Sequence, residues 1–179
     1  MNRLLDYLET NGILLCNANP YLPALEDVGC TWQDVTQLID NHLLFYSKAY
    51  KKRTAYLSRE AYYLLKAVKP QKPLTSAAET LYTLLEQTPM AETSLLKRVS
   101  ALPTKEYSQS FDFLLQNLYI TAVKNGTTRN GNWSTFYYGT AKEWEKNSMN
   151  IYSCANPAAR LWKILSHTMT EKQFSTFIK

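Results

Sequence analysis

Eight basic side chains stand between residues 48 and 72: Lys48, Lys51, Lys52, Arg53, Arg59, Lys66, Lys69 and Lys72. Glu60 is the only acid among them, and Tyr46, Tyr50, Tyr56, Tyr62 and Tyr63 interleave with the bases. Amines and guanidinium groups neutralise phosphate and displace its counterions, while phenol rings stack on bases and sugars. That mixture suits contact with a nucleic acid. It also fits a solvated helix face backed by a core-facing tyrosine stripe.

The charge is unevenly spread. The whole chain carries +5, yet residues 1–47 hold one base and six acids, residues 48–72 stand at +7, and residues 73–179 stand at +3. A second basic feature lies in "LYITAVKNGTTRNGNWSTFYYGT", residues 118–140, where Lys124 and Arg129 occupy a polar loop between two runs of β-branched and aromatic residues. Such a loop is either an ordinary surface hairpin or a projection that reaches nucleic acid.

Other chemistry finds little footing. Cys16, Cys30 and Cys154 are widely spaced and form neither a metal-ligand pattern nor a redox pair. His42 and His167 stand alone, which suits structural or solvated roles. "KNGTTRNG" lacks the spacing of a phosphate-cradling glycine loop, and neither a Gly-x-Ser-x-Gly elbow nor a His-Glu-x-x-His pair occurs. No metal and no cofactor is expected.

The 179 residues suit one domain or two small ones sharing a core, and 45% hydrophobic with 13% aromatic content excludes a disordered chain. No apolar run approaches the roughly 20 residues needed to span a bilayer. "MNRLLDYLETNG" has acids where a secretory signal would be apolar, so a cytoplasmic location without a membrane partner is expected.

The elements that must carry these residues follow from periodicity. Leu4, Leu5 and Leu8 mark a helix ending at Asn11-Gly12, and "ILLC" reads as a short buried extended segment. Thr31 with Asp34 predicts a capped helix through Leu38, Ile39, His42 and Leu43 that continues to about Tyr50, where "KKRT" breaks it. Ser58 caps another helix. "KPQKPLT" is the linker candidate. Ser76 with Glu79 then predicts a capping box, followed by a short helix over residues 91–99 burying Leu95, Leu96 and Val99.

A third helix over residues 104–117 places Tyr107, Phe111, Leu114, Leu115 and Leu118 on one face. The strand-like "YITAV" and "STFYY" should then pair as a hairpin, and Thr140 with Glu143 caps a helix holding Trp144. Two more short helices start at Asn156-Pro157 and at Thr170 with Gln173. Trp133 and Trp144 are assigned to packing, and Leu38, Leu43, Leu64 and Leu65 to a common core.

Three helices followed by a hairpin is the winged-helix order. The fold expected is mainly α with a small β hairpin: a winged helix-turn-helix over residues 73–145, packed against a mostly helical part at 1–72, with C-terminal helices at 146–179. A degenerate winged helix is an alternative for residues 1–72.

The phrases "YLSREAYYLLKAV", "ETLYTLLEQTPM" and "FDFLLQNLYITAVKNG…NW…FYYGTAKEWEK" resemble small bacterial proteins akin to the AlkZ DNA glycosylases, which are built from tandem winged-helix units. The likeness covers residues 46–144. Its markers are Ser58-Arg59-Glu60, the run from Leu115 to Thr121, and Trp133, Tyr138 and Trp144. Those glycosylases position an attacking water with a Gln-x-Gln or Gln-x-Asp motif that has no counterpart here. The resemblance therefore implies a winged-helix scaffold, and catalysis of base excision is not the expectation.

Phosphate contacts are expected from Lys51, Lys52, Arg53, Lys124 and Arg129, and base-edge contacts from Lys105, Ser108 and Gln109. A protein-interaction module and a divergent glycosylase are the alternatives.

Overall fold

Asn2 opens the first helix, accepting at its side chain from the amides of Leu4 and Leu5, and α1 runs Arg3–Asn11. Gly12 ends it at φ 77°, a left-handed conformation that a Cβ would strain, and one that would also press on Ile164 and Leu165. The computed structural model describes residues 2–130 and 133–179, with the side chains of all of these except 128–130, 133 and 134.

After Gly12 come β1 (Ile13–Leu15), a 3-10 turn at Glu26–Val28, and α2 (Trp32–Asp40) behind the Thr31–Asp34 capping box. A hairpin follows, β2 (Leu44–Tyr50) and β3 (Arg53–Ser58), and then α3 (Arg59–Val68) with Ser58 as N-cap. The second half repeats the plan. It runs α4 (Ser76–Gln87), β4 (Ala91–Glu92), α5 (Thr93–Ser100), α6 (Thr104–Gln116), β5 (Ile120–Asn130) and β6 (Trp133–Thr140). Short helices α7 (Ala141–Glu145), α8 (Pro157–Leu165) and α9 (Glu171–Phe177) complete the chain.

Each half contributes one antiparallel three-stranded sheet, ordered β1-β3-β2 and β4-β6-β5. This corrects the expected architecture. The molecule is mixed α/β rather than mainly α with one hairpin, residues 1–72 are not mostly helical, and the winged-helix assignment is not retained.

The main cause is residues 44–58. The helix begun at Trp32 stops at Asp40 and His42 turns to φ 52°, so Leu44 to Tyr50 leave as a strand. Lys51 and Lys52 then take φ of 50° and 59° between the paired Tyr50 and Arg53. That two-residue turn needs positive φ at both positions, a need usually announced by Asn-Gly or Asp-Gly. Two lysines conceal it.

Smaller corrections have local causes. Thr75 rather than Ser76 caps α4, accepting from the Ala78 amide. On α5 only Leu96 is buried, while Leu95 and Val99 are 36% and 54% exposed. The long loop expected before Trp133 is largely strand, since β5 extends to Asn130 with register shifts that absorb its polar residues. Leu38 and Leu64 occupy separate core clusters, the latter with Leu65, and Leu43 is only partly buried against the first.

"YITAV" and "STFYY" are antiparallel neighbours, with Ile120 opposite Thr140 and Ala122 opposite Tyr138. The α6 face from Tyr107 to Leu118 is buried throughout. Trp144 is fully buried, and its indole N–H donates to the Leu44 carbonyl at 3.1 Å. The side chain of Trp133 lies outside the described residues.

Candidate nucleic-acid interface

The segment leaving α3 gathers the basic side chains. Lys69 is the C-cap of α3, its amide donating to the Leu65 carbonyl, and Pro70 prevents the helix from continuing. Two bonds fix the extended segment beyond it. The Gln71 amide donates to the Asn117 carbonyl at 3.2 Å, and the Tyr119 hydroxyl donates to the Lys72 carbonyl at 2.6 Å. Lys69 and Lys72 are thereby held opposite the β2–β3 turn.

A groove of about 180 Å³ results, lined by Lys48, Lys51, Lys52, Lys69, Lys72 and Gln116 among others, with no Asp or Glu in its lining. The register of β2 against β3 shifts between Ser47 and Tyr50, and such an irregularity re-aims the side chains it contains, here Lys48 and Ala49. Lys48 donates to Asp112 of α6 at 2.6 Å. Among the described residues, Lys51, Lys52, Lys69 and Lys72 make no ion pair. Burial, and then the neighbouring Lys72, lower the pKa of the Lys69 amine, as unmatched cations sharing one site should.

The turn is also braced from outside. The Lys51 amine lies 4.7 Å and the Arg53 guanidinium 5.4 Å from the centre of the Tyr21 ring, so both cations sit on an aromatic face. Arg53 belongs to this end of the molecule with Lys51 and Lys52.

The other expected contact residues are placed differently. Lys105, Ser108 and Gln109 are exposed on α6. Helical spacing sets Lys105, Gln109, Asp112 and Gln116 along one face, which joins the groove only at its Gln116 end. Lys124 is exposed on β5, and its neighbourhood is the opposite end of β2. The His42 Nε2 lies 2.9 Å from the Val123 carbonyl and Thr121 bonds to Tyr46, so β5 runs back along β2. Seven residues of β2 therefore separate the Lys124 end from the Lys51 turn, roughly 20 Å at strand rise. The side chain of Arg129 lies outside the described residues.

Among the lining residues that sequence reasoning did not assign to the site are three lysines, Lys48, Lys69 and Lys72, together with Gln116, Asn117 and, from the far end of the chain, Lys179. The three lysines belong to the basic run already visible there. Gln116 comes close only through the fold.

Among the described residues no group of His, Cys, Asp and Glu could hold a metal ion, and the three cysteines are free. Tyr62 donates to Glu145 at 2.7 Å, and Lys66 also reaches that carboxylate at 2.5 Å. Burial, with Glu145 beside it, drives the Tyr62 phenol far above its ordinary pKa, so the group stays protonated as a structural donor. No described helix is long and apolar enough to cross a membrane. Compared with family models, with characterised proteins and with solved structures, the chain matches none.

Proposed function

We propose that the protein binds DNA through its phosphate backbone at the lysine groove between the β2–β3 turn and the segment after α3. The supporting observation is that four lysines without an ion pair among the described residues, Lys51, Lys52, Lys69 and Lys72, line one groove that has no Asp or Glu in its lining. Gathering like charges disfavours the unliganded protein, and a polyanion removes that penalty while releasing its own counterions. The contacts are to phosphate, so affinity depends little on sequence. No Asp or Glu side chain lines the groove, and the proposed role is binding.

The test is binding of short duplexes of unrelated sequence, titrated at several salt concentrations. Affinity should fall steeply with salt. A Lys51→Gln, Lys52→Gln, Lys72→Gln triple variant should flatten the log–log slope by about 0.9 per lost contact, about 2.7 in all. Binding of the parent that is indifferent to salt, or absent at low salt, would sink the proposal.

A protein partner is the second reading. It is favoured by the apolar side chains of Met90, Leu95 and Val99, which are exposed around α5. That reading predicts a partner whose capture ignores the lysine substitutions.

A further inference from the structure

A second cavity, of about 320 Å³, adjoins the groove and has a different character. Its walls come from four separate parts of the chain: Tyr21 of the loop after β1, Tyr50 at the end of β2, Lys69 beyond α3, and Lys172, Thr176 and Phe177 of α9. The apolar part is aromatic. The Tyr50 ring meets Tyr21 edge-on at 6.4 Å and Phe177 at 5.5 Å between centres. The polar part is cationic, since Lys51, Lys69 and Lys172 line the cavity and no Asp or Glu does.

Two residues set the character of this cavity. Tyr50 is buried in the wall, and a polar neighbour of its hydroxyl there is the Gln173 side chain, which also lines the cavity. The Lys69 amine, 5.6 Å from the centre of the Phe177 ring, donates to the Phe177 carbonyl at 2.6 Å and reaches no carboxylate. Aromatic walls beside three unmatched amines suit a small molecule with an apolar body and a single anionic end.

We infer that this cavity is a binding site for a small organic carboxylate with an aromatic or branched-alkyl body. It is a separate site from the groove, although Lys51 and Lys69 line both. Lys172 and Thr176 line the cavity and not the groove, whereas Lys52 and Lys72 line the groove and not the cavity. The two sites can therefore be altered independently.

The probe is 4-phenylbutyrate, followed by amide resonances in a two-dimensional NMR titration of the full chain. Shifts should centre on Ala49, Gln173 and Thr176, with a Kd on the order of 0.1–1 mM for a ligand of this size. The uncharged 4-phenylbutan-1-ol should bind at least about fivefold more weakly, and 4-phenylbutylamine should leave those resonances unmoved. Lys172→Glu should weaken phenylbutyrate by roughly five- to tenfold, and Thr176→Trp should block it. Both positions are exposed on α9, and the remaining resonances report whether each variant is folded.

Equal titration by all three probes, shifts that map elsewhere, or a Lys172→Glu variant as good as the parent would overturn the inference. Because two lysines are shared, phenylbutyrate should also lower DNA affinity. That coupling rests on the proposed groove function, whereas the resonance map does not, so failure of one is distinguishable from failure of the other.

Discussion

The hydroxyl of Thr121 serves both backbone groups of Tyr46, accepting from its amide and donating to its carbonyl at 2.9 Å each. Thr121 is fully buried, and this pair of bonds joins β5 of the second half to the free edge of β2 in the first. An exposed strand edge invites pairing with another chain, and a single side chain closes this stretch of it. Thr121→Val keeps the shape but removes the hydroxyl, leaving a buried N–H and C=O unpaired. The expected loss is about 2–4 kcal/mol in urea unfolding, with Thr121→Ser recovering most of it. A Val variant as stable as the parent would show that this pair of bonds contributes nothing to holding the two halves together.

The β2–β3 turn carries strain where it carries charge. A non-glycine residue at positive φ costs roughly 1–3 kcal/mol, and Lys51 and Lys52 both adopt it, at 50° and 59°. Combining Lys51→Asn with Lys52→Gly supplies the residue types that this turn favours. The double substitution should stabilise the fold by about 1–2 kcal/mol in thermal or urea unfolding. It should also weaken DNA binding and reduce its salt dependence. Gain of stability with loss of binding would identify the strain as a cost tolerated for the lysines. Stabilisation with unchanged binding would place the nucleic acid elsewhere.

Trp144 anchors the second core cluster. Its indole packs edge-on against Phe45 at 5.1 Å and Tyr62 at 5.0 Å, and those two rings stack on each other at 3.9 Å. Phe45 comes from the first hairpin, Tyr62 from α3 and Trp144 from α7, so three elements meet in one aromatic cluster. Trp144→Ala should cost about 3–5 kcal/mol by differential calorimetry, with the near-UV circular dichroism of the cluster largely lost. A melting temperature near that of the parent would contradict this placement.

Helix caps and apolar faces were the legible parts of the sequence. Thr31 with Asp34, Ser58, Thr140, Asn156 and Thr170 all stand where the helices begin, because a side-chain oxygen satisfying orphan amides is a local requirement. The buried face of α6 and the pairing of β5 with β6 were likewise local in origin. The first hairpin was not. "LFYSKAY" follows a true helix without a glycine or proline to mark the change, and the Lys51-Lys52 turn carries none of the usual turn residues.

At the candidate site, the basic run was visible but its geometry was not. Lys51 and Lys69 converge only because α3 folds back after β3, and Lys172 joins them from more than a hundred residues away. Lys124 lies apart from Lys51 for a similar reason. Sequence order gives no hint that β5 runs antiparallel to β2 and carries Lys124 to its far end.

That separation sets the last prediction. If phosphate binding is confined to the groove, Lys105→Gln with Lys124→Gln should leave both duplex affinity and salt dependence close to those of the parent. Neither residue lines the groove, and Lys124 lies by the His42 end of β2. Lys52→Gln with Lys72→Gln removes the same formal charge, so a general electrostatic effect would make the two pairs equivalent. Local contact predicts a fall in log–log slope of about 1.8 for the groove pair and little change for the other. A comparable loss from both pairs would mean that the nucleic acid spans the molecule from the β2–β3 turn to β5, with the exposed face of α6 between them as part of the track.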